Sequence, residues 1–164
     1  MDTYSGPAQL LYKAEYLYLY SHYWGRSHNY ALGKGAKLLK VAIVDDEPDL
    51  QRLYKLALAS RGYDIVFVAN DGTDAVEKNR LSPAQIIIMD HRMPTKNGIE
   101  ATRDILGEFP KTGVIFVSAD EAVEKEARES GAKRFLKKPI SLKDLINNIE
   151  EVAKELGIQA VLTD

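Results

Sequence analysis

The 164-residue chain contains no cysteine. That absence excludes disulfides, zinc–thiolate centres, iron–sulfur ligation and cysteine nucleophiles, and it fits a reducing compartment. No apolar run reaches the roughly 18 residues of a membrane-spanning helix. The N-terminus lacks the basic-then-apolar pattern of a signal peptide. Charge of one sign is also missing. The 22 Lys and Arg nearly balance 24 Asp and Glu, for a net charge of −2, which excludes a globally basic nucleic-acid binder. What is present is a chain that is 45% hydrophobic and 28% charged. It can bury a core and stay in solution, and its length suits one domain with an appendage.

The averages conceal two unlike parts. Seven of the nine tyrosines (Tyr4, Tyr12, Tyr16, Tyr18, Tyr20, Tyr23, Tyr30) lie in the first 30 residues, with the single tryptophan, Trp24, and two of the three histidines. Residues 1–40 carry five basic and two acidic side chains, whereas residues 41–164 carry 17 and 22. An aromatic, mildly basic leader precedes an acidic body.

In the body, apolar runs alternate with helical patterns. The runs are Leu38 to Val44, Ile65 to Ala69, Ile86 to Met89, Val114 to Val117 and Arg134 to Lys137. Between them, apolar residues recur at helical spacing. Asp49 to Arg61 reads as a helix stopped by Gly62. A weaker helix follows Asp71-Gly72, with Ala75 and Val76 inward, and Pro83 ends it. Asn97 with Glu100 three residues on forms a capping box for the next. Asp120 caps a mostly charged helix that offers only Ala122, Val123 and Ala127 to packing. Ser141 caps the last, whose apolar stripe runs from Leu142 to Leu156. This is an α/β, (βα)5 pattern. Strands apolar on both faces predict a five-stranded parallel sheet covered on each side by helices, and right-handed crossovers make it doubly wound.

Ligands of such sheets sit at the carboxyl ends of the strands. The first run is followed by Asp45-Asp46-Glu47, the third by Asp90, the fourth by Ser118 and the fifth by Lys138-Pro139. Carboxylates converging on one rim repel each other. A hard divalent cation resolves this, and an oxygen-only donor set suits Mg²⁺ better than zinc. Anionic nucleophile, metal and lysine together are suited to receiving a phosphoryl group, whose transfer needs positioning and charge neutralisation above all. Each piece alone has a plain structural reading, such as acidic residues favoured at a helix N-terminus. Their conjunction at four strand ends is the signal.

The pieces Val44-Asp45-Asp46-Glu47, Met89-Asp90-His91-Arg92-Met93-Pro94 with Gly98, Val117-Ser118-Ala119, Gly131-Ala132 and Phe135-Leu136-Lys137-Lys138-Pro139 occur in one order. In that order and at that spacing, the body resembles the receiver domain of bacterial and archaeal two-component response regulators, over roughly residues 38–157. The resemblance implies a flavodoxin-like sheet of order 2-1-3-4-5 and a cytoplasmic signalling module rather than an enzyme. It implies that Asp90 accepts a phosphoryl group from a histidine kinase or phosphotransfer protein. Asp46, Asp90 and the backbone carbonyl of Arg92 would ligate Mg²⁺, with Asp45 holding metal-bound water. Lys138, not Lys137, would meet the phosphoryl oxygen. Ser118 would be the switch hydroxyl and Phe135 the switch aromatic, and Lys138–Pro139 is a candidate cis bond. The face of the fourth helix, fifth strand and fifth helix would then bind a downstream target or a second copy. Phe135 lacks a tyrosine hydroxyl, so packing alone must drive the ring. Arg92 and Asp120 occupy positions that tune loss of the phosphoryl group in this family, and we expect them to pair across the mouth.

Residues 158–164 are too few for an effector domain, so output is expected through contacts or through the leader. Within the leader, Ala8 to Trp24 reads as a helix apolar nearly all round, which must bury itself. Its expected place is on its own body or on a second copy. Gly25, Gly33 and Gly35 mark a linker ending at residue 37. DNA binding is not expected. Three alternatives fit the residues less well. A haloacid-dehalogenase-like Mg²⁺-dependent phosphatase wants an Asp where Arg92 stands. A nucleotide or flavin binder wants a glycine-rich loop where Asp45-Asp46 would repel phosphates. A receiver-shaped interaction module working without phosphorylation would have no need of the acidic set.

Overall fold

A computed structural model describes residues 38–158. The expected leader helix, the linker and residues 159–164 lie outside the described residues. Strand and helix alternate strictly: β1 (Lys40–Val44), α1 (Pro48–Ala59), β2 (Asp64–Ala69), α2 (Gly72–Leu81), β3 (Ile86–Asp90), α3 (Gly98–Glu108), β4 (Gly113–Ser118), a 3₁₀ turn (Glu121–Val123) leading into α4 (Glu124–Glu129), β5 (Arg134–Lys137) and α5 (Leu142–Glu155). All pairings are parallel and the order is β2-β1-β3-β4-β5. Fold class and strand order are those expected.

The period-2 alternation of a strand divides the apolar runs between two cores. Val41, Ile43, Ile86, Ile88, Ile115 and Val117 face Tyr54 and Leu58 of α1 and Leu145, Ile149 and Val152 of α5. Ala42, Val44, Ile87, Met89, Val114 and Phe116 face Ala75 and Val76 of α2, Ile99 and Ile105 of α3 and Ala127 of α4. β3 and β4 are buried at every position, as central strands covered on both sides must be.

Local chemistry sets the helix starts. Asn97 and Glu100 form the complete capping box on α3. Ser141 accepts from the Asp144 amide on α5. Asp71, which reads as a turn residue, also caps α2, accepting from Thr73 and Asp74. The fourth helical segment departs from expectation. Its first turn is 3₁₀, Ala122 is exposed, and Ala127 is the one buried residue of α4. The charge-rich sequence gives this segment little apolar surface with which to hold an ideal turn against the sheet.

Candidate functional site

The crossovers bring the carboxyl ends of β1, β3, β4 and β5 to one rim. Asp45 follows β1, Asp90 ends β3, Ser118 ends β4 and Lys138 follows β5. Asp45, Asp46 and Asp90 each place a carboxylate oxygen within 4.8 Å of the others. Asp45 and Asp90 are buried and Asp46 is exposed. Lys138 Nζ donates to Asp45 Oδ2 at 3.0 Å and lies 2.7 Å from Asp90 Oδ1. Glu47 is 3.9 Å from the same ammonium. Lys137, by contrast, points away to Glu121 at 2.7 Å. Of the two neighbouring lysines, Lys138 is the one that lies among the strand-end carboxylates. The Lys138–Pro139 peptide is cis.

Burial pushes the Asp90 carboxyl above its ordinary range. The hydrogen bond and charge of Lys138 pull it back, and the Asp45 carboxylate adds to the upward push. Burial opposes the charge on Lys138, but its hydrogen bonds to Asp90 and Asp45 outweigh that and hold the ammonium well above its usual range. One lysine cannot balance Asp45, Asp46, Asp90 and Glu47. The oxygen-only, net-negative donor set fits a hard divalent cation of the Mg²⁺ kind.

Ser118 lies on the side of the sheet that α4 covers. Its Oγ accepts from the Asp120 amide at 3.1 Å. Two residues back on the same face, Phe116 pairs in register with Phe135, and the two rings stack with centroids 6.1 Å apart. His91, next to Asp90, also meets the Phe116 ring, tilted against it with centroids 5.8 Å apart. Arg92 Nη2 donates to Asp120 Oδ2 at 2.9 Å, so the expected pair across the mouth exists. The Arg92 hydrogen bond holds the Asp120 carboxyl below its ordinary range, helped by the Ala122 amide. Gly98 admits α3 to this rim, because a Cβ there would lie 2.0 Å from the Asp90 carbonyl oxygen.

The sequence model described as the response regulator receiver domain matches residues 41–150. The chain belongs to the response regulator receiver family. This receiver is 33% identical over 117 residues to the chemotaxis protein CheY of Thermotoga maritima, covering 70% of this chain and 98% of that one. It is 37% identical over 113 residues to the transcriptional regulatory protein PdtaR of Mycobacterium tuberculosis, covering 68% of this chain but only 55% of that longer protein. Among solved structures, the response regulator domain of Thermotoga maritima CheB superposes with a TM-score of 0.65 at 32% identity, over 75% of this chain and 99% of that one.

The receiver gathers the carboxylates of Asp45, Asp46 and Asp90, with Lys138 on Asp45 and Asp90, while Ser118 ends the neighbouring β4. Two residues without an assigned role join the site. Glu47, part of the acidic run after the first strand, reaches toward Lys138. Gln51 of α1 reaches back to the strand ends, and nothing in its spacing announces this.

Proposed function

We propose that Asp90 of this two-component receiver accepts a phosphoryl group from a histidine kinase or phosphotransfer protein, and that the modification switches the α4-β5-α5 face for a downstream protein or a second copy. The observation that carries the reading is the buried Asp90 carboxylate held by Lys138 beside Asp45 and Asp46. The receiver unit would be residues 38–157, in the cytoplasm. Among the described residues no helix is long and apolar enough to cross a membrane.

Asp46, Asp90 and the Arg92 backbone carbonyl would hold Mg²⁺, with Asp45 beside it. The ion would supply positive charge to offset the charge carried by an incoming phosphoryl group. Lys138 keeps its proton and presents it to the phosphoryl oxygen. Ser118 turns its hydroxyl from the Asp120 amide toward the same group. Each charge-assisted hydrogen bond contributes about 1.5–3 kcal/mol. Two such bonds approach the roughly 5.5 kcal/mol that inverts a 1:99 equilibrium. The departure of Ser118 opens space on the α4 side of the sheet, and Phe135, stacked on Phe116 without a hydroxyl to anchor it, turns inward.

Amide spectra recorded with Mg²⁺ and beryllofluoride, a phosphoryl mimic, test the switch. Shifts are expected at Ser118, Asp120 to Val123, Phe135 and Lys137. Shifts confined to Asp45, Asp46 and Asp90 would leave binding without switching, and the proposal of an output face would fail.

A further inference from the structure

Gln51 is tied to the acidic rim from one helical turn away. Its Nε2, with two hydrogens to give, lies within hydrogen-bonding distance of the backbone carbonyl of Asp45, of the carbonyl of Ala69 at 3.2 Å and of Asn70 Oδ1 at 2.8 Å, so one hydrogen is shared. These three acceptors belong to the end of β1, the end of β2 and the connection into α2. The Asp45 amide also donates to the Ala69 carbonyl, at 3.2 Å.

The start of α1 has few donors to spare. The Glu47 amide is taken by Asp45 Oδ1 at 2.9 Å, and Pro48 has no N–H. The side-chain donor to the Asp45 carbonyl therefore comes from Gln51. That carbonyl belongs to the Asp45–Asp46 peptide. On one side of the peptide, Asp45 is buried and fixed by Lys138. On the other, Asp46 is exposed, so its aim depends on the backbone from which it projects.

We propose that Gln51 is a positioning residue for the metal: by clasping the Asp45 carbonyl it fixes the peptide that carries Asp46, and so sets the affinity for Mg²⁺. This rests on the Mg²⁺ reading above. Partners that orient metal ligands from outside the ligand set typically change affinity by 10–100-fold when removed. Gln51 is half-buried at the start of α1 and holds one ligand only through its backbone, so the lower end applies, about tenfold.

The test is an Mg²⁺ titration of the full chain by calorimetry, with the melting temperature measured separately in chelator. Gln51→Met keeps the length of the side chain and removes both donors. Its Mg²⁺ dissociation constant should rise about tenfold, and the amide shifts of Asp45 and Asp46 on adding Mg²⁺ should shrink. Gln51→Glu also loses the donors but adds a negative charge, which alone would tighten a cation. Weaker binding by this variant too marks lost positioning. A lower melting temperature in Gln51→Met with unchanged Mg²⁺ affinity, or tighter binding in Gln51→Glu, overturns the inference and leaves the metal reading intact. A wild-type chain that binds no Mg²⁺ overturns both.

Discussion

Asp90 and Lys138 face each other at 2.7 Å with Asp45 on the same ammonium. The arrangement is charge-deficient by design of its residues, with more carboxylates than cations in a buried place. A carboxyl whose folded value is raised costs stability at every pH above that value, and the cost is relieved as pH falls through it. Asp90 is such a group. Asp90→Asn should therefore stabilise the metal-free receiver at pH 7, raising its melting temperature by a few degrees, on the order of what small stability gains give a domain of this size. Lys138 would still pair with Asp45. Thermal melts in chelator check this, and a destabilised variant would show that Lys138 more than compensates Asp90.

Arg92 and Asp120 give the opposite sign. Asp120 is held below its ordinary range by Arg92. The pair favours the folded state above the ordinary aspartate range, and that contribution is lost as pH falls through the lowered value. It is intact throughout the neutral range. Arg92→Ala should shorten the acyl-phosphate half-life several-fold by opening the mouth to water, with no change in that ratio between pH 6 and 8. An unchanged half-life, followed by loss of the phosphorylated mass, would assign the pair no gating role.

At the scale of elements, α4 is the weak member. Its preceding 3₁₀ turn buries no residue and α4 buries only Ala127, whereas α5 buries Leu145, Ile146, Ile149, Val152 and Ala153. Few buried apolar contacts mean low local opening energy. Amide exchange should be fastest, among the helices described, across Glu124 to Glu129, and at least tenfold slower across Leu145 to Ala153. Equal protection would remove α4 as the movable element. This weakness was legible in the charged sequence, but its form was not. Ala122 reads as a packing residue and is exposed, because one turn wound as 3₁₀ rotates it off the helical face.

The same contrast holds for the site. Strands buried on both faces announce themselves as continuous apolar runs, so the positions of Asp45, Asp90, Ser118 and Lys138 at strand ends followed from the runs alone. Asn97 with Glu100 announced the start of α3. The Arg92–Asp120 pair follows from the family resemblance, which places the two residues two positions past Asp90 and Ser118. The Phe116–Phe135 stack depends on the register between β4 and β5, which no local pattern encodes. Gln51 is hidden for the same reason: its partners lie six to nineteen residues away along the chain and meet it only after the sheet forms.

The molecule as a whole pairs an acidic receiver with an aromatic leader. The receiver spans 98% of the length of Thermotoga maritima CheY and carries most of the acidic side chains, those of the site among them. Seven of the nine tyrosines and Trp24 belong to the leader, outside the described residues. The phosphoryl chemistry proposed for Asp90 is the central claim, and intact mass spectrometry tests it most directly. The chain is incubated with Mg²⁺ and acetyl phosphate, beside Asp90→Ala treated identically. The wild type should gain a labile adduct of about 80 Da, one phosphoryl group, that the variant lacks. A wild type that gains nothing from acetyl phosphate or from a histidine kinase, or an adduct that persists in Asp90→Ala, would contradict it.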